Sequence, residues 1–113
     1  MLSVAPVNNP VFTGSISLGR RADTTIGVNS VAVGYDVQAI GNYSHAEGQL
    51  TRAMGRNAHA EGGDTWAYGV HSHTEGRGTY TSGYGTHAEG LYTEADGLYS
   101  HAEGIFTHAE GMA

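Results

Sequence analysis

Histidine and glutamate recur together, two residues apart, in five copies of one pentapeptide: Ser44-His45-Ala46-Glu47-Gly48, Ala58-His59-Ala60-Glu61-Gly62, Ser72-His73-Thr74-Glu75-Gly76, Thr86-His87-Ala88-Glu89-Gly90 and Ser100-His101-Ala102-Glu103-Gly104. Each copy follows the last by fourteen residues, without insertion or deletion. An imidazole beside a carboxylate can form a charge-assisted hydrogen bond, relay a proton, or ligate a first-row divalent metal. Five equal copies argue against catalysis, which uses one special constellation. No enzymatic activity is expected, and a repeated structural or binding role is.

The element that positions these residues is set by glycine. From Val28 to Gly111 the chain divides into twelve heptads, each ending on glycine. The fifth position is Ala in ten of them and Thr at Thr74 and Thr81. The third is Ser, Thr or Ala except at Val37. In an extended chain, positions three and five point to one face and positions four and six to the other. One face is therefore all small, and the other carries every large or charged group. A helix fits poorly: glycine at every seventh residue costs about 1 kcal/mol each relative to Ala, and no apolar stripe of period 3.6 accompanies it. Glycine at position seven suits a turn with positive φ. The strict period predicts an all-β coil of parallel strands, fourteen residues and two heptads per turn, with Ser, Thr and Ala filling a tight interior.

The fourteen-residue step sorts the outward positions into two files. The first runs Val31/Val33, His45/Glu47, His59/Glu61, His73/Glu75, His87/Glu89, His101/Glu103. The second runs Gln38/Ile40, Arg52/Met54, Trp66/Tyr68, Tyr80/Ser82, Glu94/Asp96, His108/Glu110. A uniform file implies one recurring environment. A mixed file implies a surface shaped for a target or free to vary. Trp66, Tyr68 and Tyr80 are its candidate surface-binding residues, for carbohydrate or protein, with Tyr43, Tyr84, Tyr92 and Tyr99 at or near corners.

Composition narrows the partners. The 113 residues include 18 glycines and no cysteine, which excludes disulfides and thiolate-bound metals. A formal charge of −6, with five Lys and Arg, makes a nucleic-acid partner unexpected. No apolar run approaches the length of a membrane span, so no membrane insertion is expected. Large aliphatic residues are few, so the chain must bury thin layers or gain a core by association. Residues 1–20 stand apart: they hold Pro6 and Pro10, the only prolines, and read as an extended arm with a short strand near Val11–Leu18. Residues 21–113 read as the repeat domain.

The frame x-x-Ser-x-Ala-x-Gly, clearest in Asn29-Ser30-Val31-Ala32-Val33-Gly34, resembles the head repeat of trimeric autotransporter adhesins of the YadA type. The Ser-His-Ala-Glu-Gly variant is similar to repeats of phage tail fibres. The segment Ala5-Pro6-Val7-Asn8-Asn9-Pro10-Val11-Phe12-Thr13-Gly14 resembles one that recurs in those fibres. The resemblance implies a left-handed parallel β-roll assembled as a homotrimer, with one outward file on the trimer axis. Val31 and Val33 match the apolar interface pair of the adhesin head, so the interface is expected at Val31, Val33, His45, Glu47, His59, Glu61, His73, Glu75, His87, Glu89, His101 and Glu103. The His and Glu residues would then form a ladder of hydrogen bonds between subunits. A sharper reading makes His45, His59, His73, His87 and His101 ligands for a metal ion or anion on that axis; no other cofactor is expected. The implied function is a structural and attachment module of a phage tail fibre, in the virion tail, meeting carbohydrate or protein on the host-cell surface. The alternative is the head of a bacterial adhesin at the cell surface.

Overall fold

Strands β1 (Ile16–Arg20) and β2 (Val31–Ala39) open a parallel ladder in a computed structural model that describes residues 14–110. Ten more strands follow in alternating lengths of five and two residues: β3 (His45–Gln49), β4 (Arg52–Ala53), β5 (His59–Gly63), β6 (Trp66–Ala67), β7 (His73–Arg77), β8 (Tyr80–Thr81), β9 (His87–Leu91), β10 (Glu94–Ala95), β11 (His101–Ile105) and β12 (His108–Ala109). The odd strands stack in one ladder on β2, the even strands in another, and β2 belongs to both. Every pairing is parallel. From β2 onward the register step is fourteen, as Val31↔His45↔His59 and Gln38↔Arg52↔Trp66 show. The chain is an all-β parallel solenoid, as the heptads predict, and it is elongated, 53 × 27 × 23 Å.

The interior is as thin as its residues require. Ala32, Ala39, Ala46, Ala53, Ala60, Ala67, Ala88 and Ala95 are fully buried, beside Ser30, Thr51, Thr65, Thr74 and Thr81. Val37 is the largest fully buried side chain, and it sits at the one third position that is not Ser, Thr or Ala. Several third-position hydroxyls turn back on the preceding corner: Ser72 Oγ donates to the Gly69 carbonyl at 2.6 Å, and Thr86 Oγ1 and Ser100 Oγ do likewise to Gly83 and Gly97 at 2.8 Å. The hydroxyls of Thr51, Thr79 and Thr93 are equally buried and have no hydrogen-bond partner. With cores this thin, the backbone bonds between coils, such as His45 N–H to the Ala58 carbonyl at 2.9 Å, supply much of the cohesion.

Position seven needs glycine for two reasons. Gly48 takes φ of +108°, in the left-handed region where a side chain is strained. Gly41 does not, but a Cβ there would run into the carbonyl oxygen of Gly55 on the next coil. Positive φ thus explains one half of the coil, and close approach between coils explains both. A second rule was hidden from the sequence. Position two is left-handed in all twelve heptads, from Asn29 (φ 50°) and Asp36 (54°) to Tyr99 (53°) and Phe106 (55°). Asn29, Asp36, Asn57, Asp64, Gly78 and Gly85 suit it; Tyr43, Leu50, His71, Tyr92, Tyr99 and Phe106 accept about 1–2 kcal/mol of strain each.

The strand expected near Val11–Leu18 corresponds to β1, and residues 1–13 lie outside the described residues. β1 joins the ladder as a further rung: Ile16, Ser17 and Leu18 pair with Val31, Ala32 and Val33. The step there is fifteen residues, and the register shifts between Leu18 and Arg20.

Candidate functional site

Residues two apart on a strand face the same way, and residues fourteen apart lie side by side on neighbouring rungs. These two spacings gather the five histidines and five glutamates into one file. The register places His45, His59, His73, His87 and His101 in a single row, with Val31 at its head and Ile16 beyond it. Val33 and Leu18 head the glutamate row in the same way. Ile16, Leu18 and Val33 are exposed, at 48%, 60% and 37%, so the file begins as an apolar patch and continues as imidazole and carboxylate.

The imidazoles stack. Their centroids are 4.6, 4.7, 4.8 and 4.7 Å apart from His45 to His101, with planes within 15° of parallel. From His59 onward, each Nε2 faces the carboxylate of the preceding coil, twelve residues back. His73 lies 3.0 Å from Glu61, His87 3.3 Å from Glu75, and His59 and His101 lie 3.5 Å from Glu47 and Glu89. The pairing expected between subunits is thus available within one chain, because a rung spacing of about 4.8 Å brings the ring over the neighbouring carboxylate. These groups remain a third to a half exposed on the single chain. Neither the stacking nor the one-coil offset was read from the sequence. Both follow once the strands are known to be parallel and in register.

Four consecutive His-Glu-His groups have donor atoms within 4.8 Å of one another: His45–Glu47–His59, His59–Glu61–His73, His73–Glu75–His87 and His87–Glu89–His101. The donors, two imidazole nitrogens and one carboxylate oxygen, match those that bind zinc and related divalent ions.

The mixed file gathers its aromatics as the spacing predicts. Trp66 meets Tyr68 edge-on at 5.9 Å, Tyr80 packs on both, and the Arg52 guanidinium lies 4.5 Å over the Trp66 ring. The three rings are partly buried against each other, leaving part of each surface for a ligand. Burial, then the negative charge of Asp96, raises the Tyr80 hydroxyl above its ordinary pKa. One rung on, Glu94, Asp96 and His108 form a polar cluster that was not foreseen. Asp96 accepts a hydrogen bond from Ser82 Oγ at 2.7 Å and lies 3.1 Å from His108 Nε2. Desolvation works against its charge, but hydrogen bonds from Ser82, Glu94 and His108 outweigh it and hold Asp96 below the usual range. Glu94 is raised, first by its hydrogen bond to Asp96 and then by burial.

The corner beside this file is notched. Gly63 interrupts the first-position row and Gly78 the second-position row, and the Tyr92 ring occupies the space that a side chain at Gly78 would need. A cleft of about 480 Å³ results, lined by Gln49, Leu50, Gly63, Asp64, Arg77 and Tyr92. Tyr43, Tyr84, Tyr92 and Tyr99 are exposed at the corners, as expected. No protein-family model, curated protein or solved structure matches this chain.

Proposed function

We propose that the chain is a structural and attachment module of a phage tail fibre, a part of the virion tail that meets the host-cell surface. The observation that supports it most is the unbroken parallel ladder. A rod whose coils are joined by backbone bonds in register carries load along its length without a thick core. The repeat and the Ala-Pro…Phe-Thr-Gly segment add the resemblance to tail fibres.

The proposed working form is a homotrimer of left-handed β-rolls with the first file on the axis. Ile16, Leu18 and Val33 support this reading, since an exposed apolar strip on a chain with so small a core is a surface suited to association. Because His73 and His87 already hydrogen-bond Glu61 and Glu75 within the chain, the apolar head of the file supplies the main drive for assembly. The mixed file and the Tyr92 cleft are the proposed contact with carbohydrate or protein of the host surface: aromatic rings beside Asp64, Arg77 and Gln49 combine a flat apolar platform with hydrogen-bonding groups. The Val31/Val33 pair favours the second reading, the head of a bacterial adhesin.

Light scattering on a sizing column tests the assembly. Three times the chain mass is expected, falling to the single-chain mass in Val33→Asp; a native monomer overturns the trimer. Antibody against the roll separates the two readings by decorating virion tails or bacterial surfaces.

A further inference from the structure

We propose that the His/Glu file is a linear array for divalent transition-metal ions, filled at alternate rungs with two ions per chain. All ligands come from one chain, so the inference rests on neither the trimer nor the attachment role.

Each group offers two imidazole nitrogens and one carboxylate oxygen, within 4.8 Å of one another. Three protein ligands of this kind leave a fourth position for water, as in open zinc sites. The His59 nitrogen shows the need most plainly. Its Nε2 is buried and makes no hydrogen bond, with Glu47 at 3.5 Å and Glu61 at 3.9 Å on either side. An ion there gives this nitrogen the partner it lacks. Binding at about 2.0–2.1 Å draws two rings and a carboxylate inward. Side chains about a third or more exposed have room for that movement.

The alternation follows from shared ligands. His59 belongs to the first and second groups, His73 to the second and third, His87 to the third and fourth. An Nε2 bound to one ion is unavailable to the next, so adjoining groups cannot both be filled. Two dications one rung apart, about 4.8 Å, would also repel. Four groups under this rule hold two ions.

The rule gives an unusual mutational signature. His73→Gln destroys the two middle groups and leaves the outer pair, so it still binds two ions. His45→Gln with His101→Gln leaves the middle groups, which share His73, so it binds one. His59→Gln with His87→Gln breaks all four and binds none. The experiment is equilibrium dialysis against Zn²⁺, with metal and protein measured on each side. Every chain carries His108→Gln, which removes the Glu94–Asp96–His108 cluster from the count. The expected counts are two, two, one and none for the parent and the three variants, and Zn²⁺ raises the melting midpoint only where it binds. Melting in chelator checks folding; a variant that melts early is replaced by its His→Asn counterpart, which has the same ligand count. Loss in proportion to the histidines removed, ions retained by the His59/His87 variant, or no bound Zn²⁺ in the parent overturns the proposal.

Discussion

Thr51→Val should stabilise the roll. The Thr51 side chain is fully buried, and its hydroxyl has no hydrogen-bond partner. A buried hydroxyl without a partner costs about 1–3 kcal/mol. Valine has nearly the same shape, and Val37 already occupies the equivalent position one coil earlier, fully buried. The substitution removes the penalty without overpacking, so the expected gain is about 1–2 kcal/mol. For a domain of this size that raises the melting midpoint by about 4–8 °C per kcal/mol. Thr65→Val is the matched control, because Thr65 Oγ1 donates to the Glu61 carbonyl at 3.1 Å. Its loss should cost about 1 kcal/mol. Thr79→Val should repeat the Thr51 result, and the pair should add, since two rungs, about 9.6 Å, separate them. Calorimetry on the parent and the four variants, the Thr51/Thr79 double included, decides it. If Thr51→Val and Thr65→Val lower the midpoint alike, hydroxyl satisfaction does not govern this interior.

Gly41→Ala puts a methyl group into the Gly55 carbonyl and should cost on the order of 3 kcal/mol, whereas Gly63, with nothing near its Cβ position, should accept Ala with a gain of up to about 1 kcal/mol; denaturant midpoints of the two variants separate them. The Glu94–Asp96 pair should respond to pH with opposite signs. Glu94 has a raised folded-state pKa, so its charged form is disfavoured in the folded chain. Glu94→Gln should therefore be more stable than the parent near neutral pH, with the advantage fading as pH falls through the folded value of Glu94. Asp96 is held low, so Asp96→Asn should be less stable near neutral pH, with the deficit vanishing as acid protonates Asp96 in the parent. Melting curves from pH 3 to pH 7 read both.

The frame was legible because it is redundant. Ser30/Ala32 and its later copies mark the inward face, and a step of fourteen leaves one register in which His meets His. The left-handed corners were not, since half of them carry Tyr, Leu, His or Phe, which do not announce positive φ; Asn29, Asp36, Asn57 and Asp64 were the signal available. The rung formed by β1 escaped notice because Ser15-Ile16-Ser17-Leu18-Gly19 fits the frame but stands fifteen residues before Ser30 instead of fourteen. The His–Glu contacts within the chain were not read, because the offset of twelve residues is visible only when two rungs are laid side by side.

The interior and corners of this roll count in sevens and its surface counts in fourteens. Both halves of the coil use small residues at positions three and five, a left-handed corner at position two and glycine at position seven, a residue able to adopt the geometry of either half. Deleting one heptad would leave every inward residue inward and every corner a corner. It would also turn all later coils by half a revolution, sliding imidazoles beneath tryptophan and tyrosine. Lineages of such a chain can lengthen or shorten in odd heptads and still fold, but only even steps keep the two faces in phase. Length variation among descendants is therefore a readout of selection: if the faces matter, indels come in whole coils.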